Sequence, residues 1–214
     1  MGEMEGRQRG VRRETIGTGQ GASRSDRHNG SEAGSSRHVP RASRRASLVF
    51  LTPWGWMGIS ETSKGIDAIE LPKESKRAVE SSLHKTSREP LDPGRSARLE
   101  AARHQLLDYL AGKRETFDLP LDLSQGTSFQ RQVWRTLLRV PYGKLRSYQW
   151  VALRVGGRQY ARAVGNAVGA NPLPIIVPCH RIVAQDASLG GFSGGLPAKR
   201  RLLRLEGSYA QLCQ

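Results

Sequence analysis

The sequence is poor in cysteine and has no long apolar segment. Its 214 residues include two cysteines, Cys179 and Cys213, too few for a disulfide-stabilised scaffold or a four-cysteine zinc site. No apolar run approaches the roughly 18 residues that a membrane-spanning helix needs. The N-terminus also lacks the apolar core of a secretory signal. These absences predict a soluble protein of a reducing compartment, without a structural metal or a membrane partner.

Acidic residues become rare toward the end of the chain. The formal charge is +15, from 34 Lys and Arg against 19 Asp and Glu. Residues 1–46 carry +5, residues 47–123 carry −1, and residues 124–214 carry +11 with Asp186 and Glu206 as their only acids. A surplus of this size favours a polyanionic partner.

Residues 1–46 differ in composition from the rest of the chain. They are rich in Gly, Ser and Arg and have almost no large apolar residues. Such a segment cannot bury enough apolar surface to offset its loss of entropy on ordering. We therefore predict a disordered basic tail, and an arm that binds nucleic acid without specificity is the alternative.

Residues 47–123 are predicted to form an α/β domain and a linker. Strands are expected over 47–71, with a turn at Pro53-Trp54-Gly55, and a helix over 73–83. Residues 84–95 are typical of a linker, and apolar residues at helical spacing predict a helix over 97–112. The segment FDLPLDL that follows is expected to be extended.

Residues 124–209 begin with three predicted helices, and residues 210–214 are predicted to be a tail. Ser128 is expected to cap a helix over 129–139, and Ser147 a helix to about Val155. After Gly156-Gly157, a third helix is expected from Gln159 to Gly169. Two short helices joined by a tight glycine turn suggest a helix-turn-helix, although many helical hairpins share the pattern.

The third helix, RQYARAVGNAVGA, carries small residues where a core helix would present Leu or Ile. Small residues allow a close approach of the backbone to a neighbour. Two readings stay open here: tight packing against another helix, or a helix laid into a DNA groove with Arg158 and Arg162 supplying charge.

A cysteine followed directly by histidine marks the candidate chemistry. Ile175-Ile176-Val177 is predicted to be a buried strand that ends at Pro178-Cys179-His180-Arg181. A thiolate nucleophile needs a neighbouring base or positive field, although a lone cysteine is commonly a small buried hydrophobe. The glycine loop at 190–195 lacks the lysine of a phosphate-binding loop. Glu206, alone in a basic helix over 199–207, is either a partner for His or Arg or a solvated charge.

Together these motifs resemble the O6-alkylguanine-DNA alkyltransferases, the methylated-DNA–protein-cysteine methyltransferases. The strongest matches are GTSFQRQVW, VPYGKLRSY, ARAVGNAVGANP, IIVPCHRIV, GGFSGGL and LLRLEG, in family order between residues 126 and 207. The likeness is weaker over 47–123, and residues 1–46 match nothing in the family.

The resemblance implies an α/β (α+β) fold. A small ribonuclease-H-like N-terminal domain would precede a mainly helical domain that contains the helix-turn-helix. It implies a monomer that binds duplex DNA in the minor groove and flips an alkylated guanine out of the stack. Such a protein would be cytoplasmic and associated with the nucleoid, or nuclear in a eukaryote.

The resemblance also implies an activity and its residues. Cys179 would take a methyl or larger alkyl group from guanine O6, once and irreversibly, without a cofactor; O4-alkylthymine is a further candidate substrate. Glu206 and His180 would withdraw the thiol proton through a water, Asn171 would order the turn, and Tyr148 would protonate guanine N3. The implied DNA contacts are Arg162, Tyr148 and Gln149, and the implied guanine pocket is Ser193, Ile182 and Gly190.

Three positions depart from the family pattern, namely Tyr160, Gly169 and Phe192. They affect the expected DNA contacts and pocket size and leave the chemical residues intact. Two other protein classes fit these residues less well. The non-catalytic alkyltransferase-like proteins lack the cysteine that is present here. A Cys-His hydrolase would not explain the small-residue helix or the basic C-terminal segment.

Overall fold

The structure, a computed structural model, describes residues 45–86, 91–93 and 96–212. The predicted tail of residues 1–46 lies outside these ranges except for Arg45 and Ala46, which belong to a strand. Arg45 is held there by a 2.6 Å ion pair with the buried Asp67, so the predicted tail boundary is two residues too late. Cys213 also lies outside the described residues.

Four strands form a mixed sheet in the N-terminal half. They are β1 (Arg45–Thr52), β2 (Gly55–Thr62), β3 (Gly65–Lys73) and β4 (Leu91–Pro93), in the order β3-β2-β1-β4. The first three are antiparallel neighbours, and β4 runs parallel to β1. The predicted turn at Pro53-Trp54 joins β1 to β2. Gly55 follows it with a positive φ of 122°, where an added Cβ would lie 2.7 Å from a backbone oxygen of β3.

Two helices accompany the sheet. Helix α1 (Lys76–Thr86) begins and ends three residues later than predicted, so its last turn occupies part of the predicted linker. Helix α2 (Ala97–Leu110) begins at the cap Ser96, whose hydroxyl accepts from the backbone of Leu99. Its buried side chains include the predicted Leu99, Ala102 and Leu106, and also Tyr109.

Helix α3 (Ser128–Leu137) is capped one residue earlier than predicted. Thr127 and Gln130 form a reciprocal capping box, in which each side chain accepts a hydrogen bond from the other's backbone N–H. Ser128, the predicted cap, is therefore the first helical residue. Trp134, buried on this helix, donates from Nε1 to the Ala167 carbonyl at 2.8 Å and so ties α3 to a later helix.

Two further helices follow, separated by glycines as predicted. Helix α4 (Tyr148–Val155) is capped by Ser147, which confirms that prediction. A single 3-10 turn over Arg158–Tyr160 then leads into α5 (Ala161–Gly169). The predicted helix from Gln159 therefore starts as a 3-10 turn.

The segment predicted as a buried strand at 175–177 is a buried turn instead. Ile175 has a φ of +79°, and the Val177 N–H donates back to the Leu173 carbonyl at 2.8 Å. The side chain of Asn171 binds the backbone at two points of this turn. These bonds take backbone groups that a strand ladder would have used, so the chain folds back on itself.

The remaining elements follow this turn. A 3-10 turn (Cys179–Arg181) leads into β6 (Ile182–Val183), which pairs in parallel with β5 (Arg146–Ser147). Helix α6 (Gly195–Leu205) is followed by its C-cap Glu206. Tyr209–Leu212 form a further 3-10 turn, which extends from the end of the predicted domain into the predicted tail of residues 210–214.

One apolar cluster runs through both halves of the described chain. It includes Met57, Ile59 and Leu106 from the sheet half and Val133, Val164, Ile182 and Leu202 from the later helices. The predicted division between residues 123 and 124 stays a prediction. Among the described residues, no helix has the length and apolarity to cross a membrane.

Candidate active site

Cys179 lies at the first position of the 3-10 turn after Pro178, with 1% of its surface exposed. Its Sγ accepts a hydrogen bond from Asn171 Nδ2 at 3.0 Å. Burial raises the pKa of the thiol to about 11, although the Asn171 bond and the charge of Lys199 oppose that rise. The thiol is therefore protonated at neutral pH and needs a base before it can act as a nucleophile.

Asn171 fixes the turn that presents the cysteine. It follows α5 directly, and its Nδ2 also donates to the Val177 carbonyl at 2.8 Å. Its Oδ1 accepts from the Leu173 N–H at 3.0 Å. One buried amide thus connects the start of the turn, its end and the sulfur atom.

His180 and Glu206 form a buried pair beside the cysteine. His180 Nε2 lies 2.9 Å from Glu206 Oε1, and neither side chain is exposed. Burial lowers the pKa of His180, and the bond to Glu206 only partly offsets this. The imidazole is therefore neutral, with its proton on Nε2 toward the carboxylate. Nδ1 is left as a buried acceptor that no described residue engages.

Glu206 is ionised because donors surround it. Arg181 donates to it from Nε at 3.0 Å and 3.1 Å and from Nη2 at 2.8 Å. The Tyr109 hydroxyl donates to Oε1 at 2.5 Å, and the Gly143 N–H to Oε2 at 3.2 Å. Burial would raise the pKa of Glu206, but the bonds from His180 and Arg181 outweigh it and lower the pKa to about 2.

Tyr148, the first residue of α4, lies across the glycine loop. Its hydroxyl is 3.4 Å from the Gly191 carbonyl. Gly190 has a φ of +62°, and a Cβ there would lie 2.9 Å from the tyrosine ring, so this contact requires glycine. The pKa of Tyr148 is raised mainly by burial. A smaller rise comes from Cys179 when its thiol is ionised.

Lys199 ties the glycine loop to the cysteine turn. It is fully buried on α6, and its Nζ donates to the carbonyls of Ile182 (2.5 Å), Leu189 and Gly191 (3.4 Å). Burial lowers its pKa to about 8. The Ile182 carbonyl, an expected pocket group, therefore already accepts one hydrogen bond. Ser193 is exposed and lines a cavity of about 680 Å³ together with Asn171.

The outer face of α5 is open. Arg162, Ala163 and Asn166 are exposed, and a Cβ added at Gly165 or Gly169 would meet nothing within 4 Å. Tight helix packing therefore does not explain the small residues at these two positions. Gln149 is half-exposed on the neighbouring helix α4.

The segment that contains most of these residues matches a known protein domain. A family model for the DNA-binding domain of 6-O-methylguanine DNA methyltransferase matches residues 128–208. The methylated-DNA–protein-cysteine methyltransferase of Mycobacterium tuberculosis is 49% identical over 119 residues, covering 56% of this chain and 70% of that protein. The constitutive enzyme of that name from Bacillus subtilis is 39% identical over 160 residues, covering 72% and 91%. The chain belongs to the methylated-DNA–protein-cysteine methyltransferase family.

A solved structure of the family matches a larger share of the chain than the family model does. The crystal structure of Mycobacterium tuberculosis OGT in complex with DNA superposes with a TM-score of 0.63 at 36% identity. The match covers 78% of this chain and 96% of that one. The expected mixed α/β fold of the family is therefore confirmed.

The structure brings most of the expected chemical residues together around Cys179. Asn171 contacts its sulfur and His180 contacts Glu206 beside it, while Tyr148 contacts the glycine loop. Arg162 and Gln149 lie on α5 and α4. Two neighbours were missed by sequence reasoning. Tyr109 lies far away in the sequence on an apolar helix face, and Lys199 stands in a basic run beside Arg200 and Arg201 with nothing to mark it as buried.

Proposed function

We propose that this protein repairs alkylated DNA by direct reversal, as a single-turnover methylated-DNA–protein-cysteine methyltransferase. The S–C bond would form between Cys179 Sγ and the alkyl carbon while the C–O bond to guanine O6 breaks. The observation that carries the proposal is a buried thiol next to a neutral histidine whose Nδ1 is free to take a proton. A thioether is a stable product, so each molecule would act once.

The proton balance assigns a role to each neighbour. Cys179 loses its proton through a water to His180 Nδ1, and Glu206 stabilises the imidazolium that forms. Guanine leaves with the electrons of the broken C–O bond and takes a proton at N3 from Tyr148, whose raised pKa keeps it a donor. Lys199 stabilises the thiolate in its buried surroundings. All of these groups are side chains of this chain, so the proposed reaction needs no cofactor.

The guanine pocket is proposed between Tyr148 and the glycine loop. Ser193 and the carbonyl of Ile182 would bind the edge of the base, and Gly190 would let Tyr148 lie close to it. Because Lys199 uses one lone pair of the Ile182 carbonyl, the amino group of guanine would use the second. Phe192, half-buried in the same loop, would limit the size of the alkyl group.

We propose that α5 enters the minor groove of duplex DNA and that Arg162 fills the space left by a flipped guanine. The open face at Gly165 and Gly169 supports this reading, because it leaves room for a neighbour outside the protein. Gln149 and Tyr148 would contact the adjacent backbone. On this reading α4 and α5 act as the helix-turn-helix, residues 45–123 as the ribonuclease-H-like domain, and the protein works as a monomer in the cytoplasm.

An arginine–tryptophan stack adds charge to the same part of the surface. The guanidinium of Arg154 lies 3.6 Å from the ring centre of Trp150, and that of Arg146 lies 5.4 Å from it. Arg146 donates a hydrogen bond to the Leu145 carbonyl, and Arg154 donates one to the Trp150 carbonyl. No acid among the described residues neutralises them, so both are suited to phosphate binding.

Transfer of label from DNA to protein tests the proposal. A duplex with radiolabelled O6-methylguanine is mixed with the wild type, with Cys179→Ala and with Cys213→Ser as the matched control. We expect one label per protein molecule for the wild type and Cys213→Ser, and none for Cys179→Ala. Label on Cys179→Ala, or release of more than one equivalent per protein, would overturn the mechanism.

A further inference from the structure

Tyr109 places the sheet half of the protein in contact with the catalytic pair. It is fully buried near the end of α2, outside the 128–208 region that matches the DNA-binding family model. Its hydroxyl donates to Glu206 Oε1 at 2.5 Å and lies 3.4 Å from His180 Nε2. It is therefore near both members of the pair proposed to activate the thiol.

The tyrosine ring is held on two sides. Phe117 packs against it at 5.3 Å between ring centres, and Tyr142 meets it edge-on at 6.0 Å with an interplanar angle of 84°. Burial and the charge of Glu206 raise the pKa of Tyr109, so the hydroxyl keeps its proton. A fixed ring with a permanent proton gives Glu206 a donor from one constant direction.

We infer that Tyr109 is a positioning residue for alkyl transfer, whose hydroxyl orients Glu206 Oε1 toward His180 Nε2 and draws negative charge away from that oxygen. The inference rests on the proposed function, because the transfer reaction supplies the readout. It assigns a residue of α2 to a site otherwise built from the C-terminal half.

Three donors share Glu206 Oε1, namely Tyr109, His180 and Arg181. Lys199 also acts on the charge of His180, and Tyr142 lies near Glu206 with a raised pKa, so its hydroxyl is uncharged over the acid range of the test. Removing the tyrosine hydroxyl leaves more negative charge on Oε1 for the His180 N–H. The pKa of His180 then rises, so the imidazole becomes protonated, and stops acting as a base, at a higher pH than in the wild type.

The test measures transfer from free O6-benzylguanine against pH, so DNA contacts do not enter. Tyr109→Phe keeps the ring and removes the hydroxyl. We expect the plateau of its pH–rate profile to fall by about three- to tenfold, which corresponds to the loss of one hydrogen bond. The acid limb of that profile, where protonation of His180 stops transfer, should move to higher pH. The matched control is Tyr142→Phe, whose lost hydroxyl donates only to the Leu205 carbonyl; its acid limb should stay in place.

A second variant distinguishes an effect of the hydroxyl on Glu206 from a failure of the protein to fold. 3-Fluorotyrosine at position 109 keeps the shape and makes the hydroxyl a stronger donor, so the acid limb should move to lower pH. If Tyr109→Phe does not fold, this variant decides alone. Wild-type profiles for both variants, or equal shifts in Tyr142→Phe, would overturn the inference. Absence of transfer in the wild type would overturn the proposed function itself, which is a different result.

Discussion

Asn171 holds the sulfur of Cys179 with the same amide nitrogen that binds the turn before it. Nδ2 donates to Sγ at 3.0 Å and to the Val177 carbonyl at 2.8 Å, while Oδ1 accepts from the Leu173 N–H. The turn between them contains Ile175 at a φ of +79°, a conformation that is costly for a β-branched residue. The amide therefore stabilises a strained turn as well as the nucleophile.

Replacing this amide should affect stability and rate together. In Asn171→Ala, the Leu173 N–H and the Val177 carbonyl lose buried partners, so unfolding free energy should fall by about 3 kcal/mol. Transfer to free O6-benzylguanine should slow by about tenfold or more. Urea unfolding and single-turnover kinetics measure the two effects. Asn166→Ala, exposed on α5, is the control and should change stability by less than about 0.5 kcal/mol; equal values for both variants would contradict the assignment.

Glu206 should make the protein sensitive to acid in a defined window. Its folded pKa of about 2 lies below its usual 4.5, so its stabilising contribution is complete above about pH 4.5 and is lost as pH falls toward 2. A shift of this size corresponds to about 3 kcal/mol. Urea unfolding at pH 7, 4.5 and 3 measures it. Between pH 4.5 and 2, Glu206→Gln should lose less unfolding free energy than the wild type, by most of those ~3 kcal/mol. If the unfolding free energy of Glu206→Gln depends on pH as in the wild type, other carboxylates dominate the acid sensitivity.

The open face of α5 gives a test of DNA binding that spares the fold. A side chain at Gly165 meets nothing within 4 Å, so Gly165→Leu should leave stability unchanged or raise it by up to about 1 kcal/mol. If α5 lies in a groove, the new side chain should weaken duplex binding by about tenfold or more. Ser81→Leu, on the exposed side of α1, is the matched control. Normal duplex affinity for Gly165→Leu would place the DNA elsewhere.

Features fixed by neighbouring residues could be predicted from the sequence. Ser147 can be predicted as the cap of α4 because a capping side chain bonds a backbone N–H within three residues of itself. His180 can be predicted near Cys179 because it follows the cysteine directly in the sequence. Glu206 could be proposed as a partner for His or Arg because it is almost the only acid in a basic segment. In the structure it binds both His180 and Arg181.

Features set by distant contacts could not be predicted. The run Ile175–Val177 has the composition of a strand, but the side-chain bonds of Asn171 bend it into a turn. Tyr109 contacts a residue 97 positions away, and on its own helix it resembles any apolar core residue. Lys199 is buried only because three carbonyls converge on it, which requires the glycine loop to be folded.

The Arg146–Trp150–Arg154 stack predicts how DNA affinity depends on salt. Each phosphate contact releases counterions, so losing two should reduce the slope of log affinity against log salt by about two. We therefore expect Arg146→Gln/Arg154→Gln to weaken duplex binding most at low salt and to flatten the slope, while transfer from free O6-benzylguanine stays normal. Arg201→Gln is the matched control, because Arg201 also stacks on a tryptophan, lying 4.0 Å from the Trp54 ring centre, but belongs to α6. A slope equal to the wild type in the double variant, or the same loss in Arg201→Gln, would show that the stack does not contact phosphates.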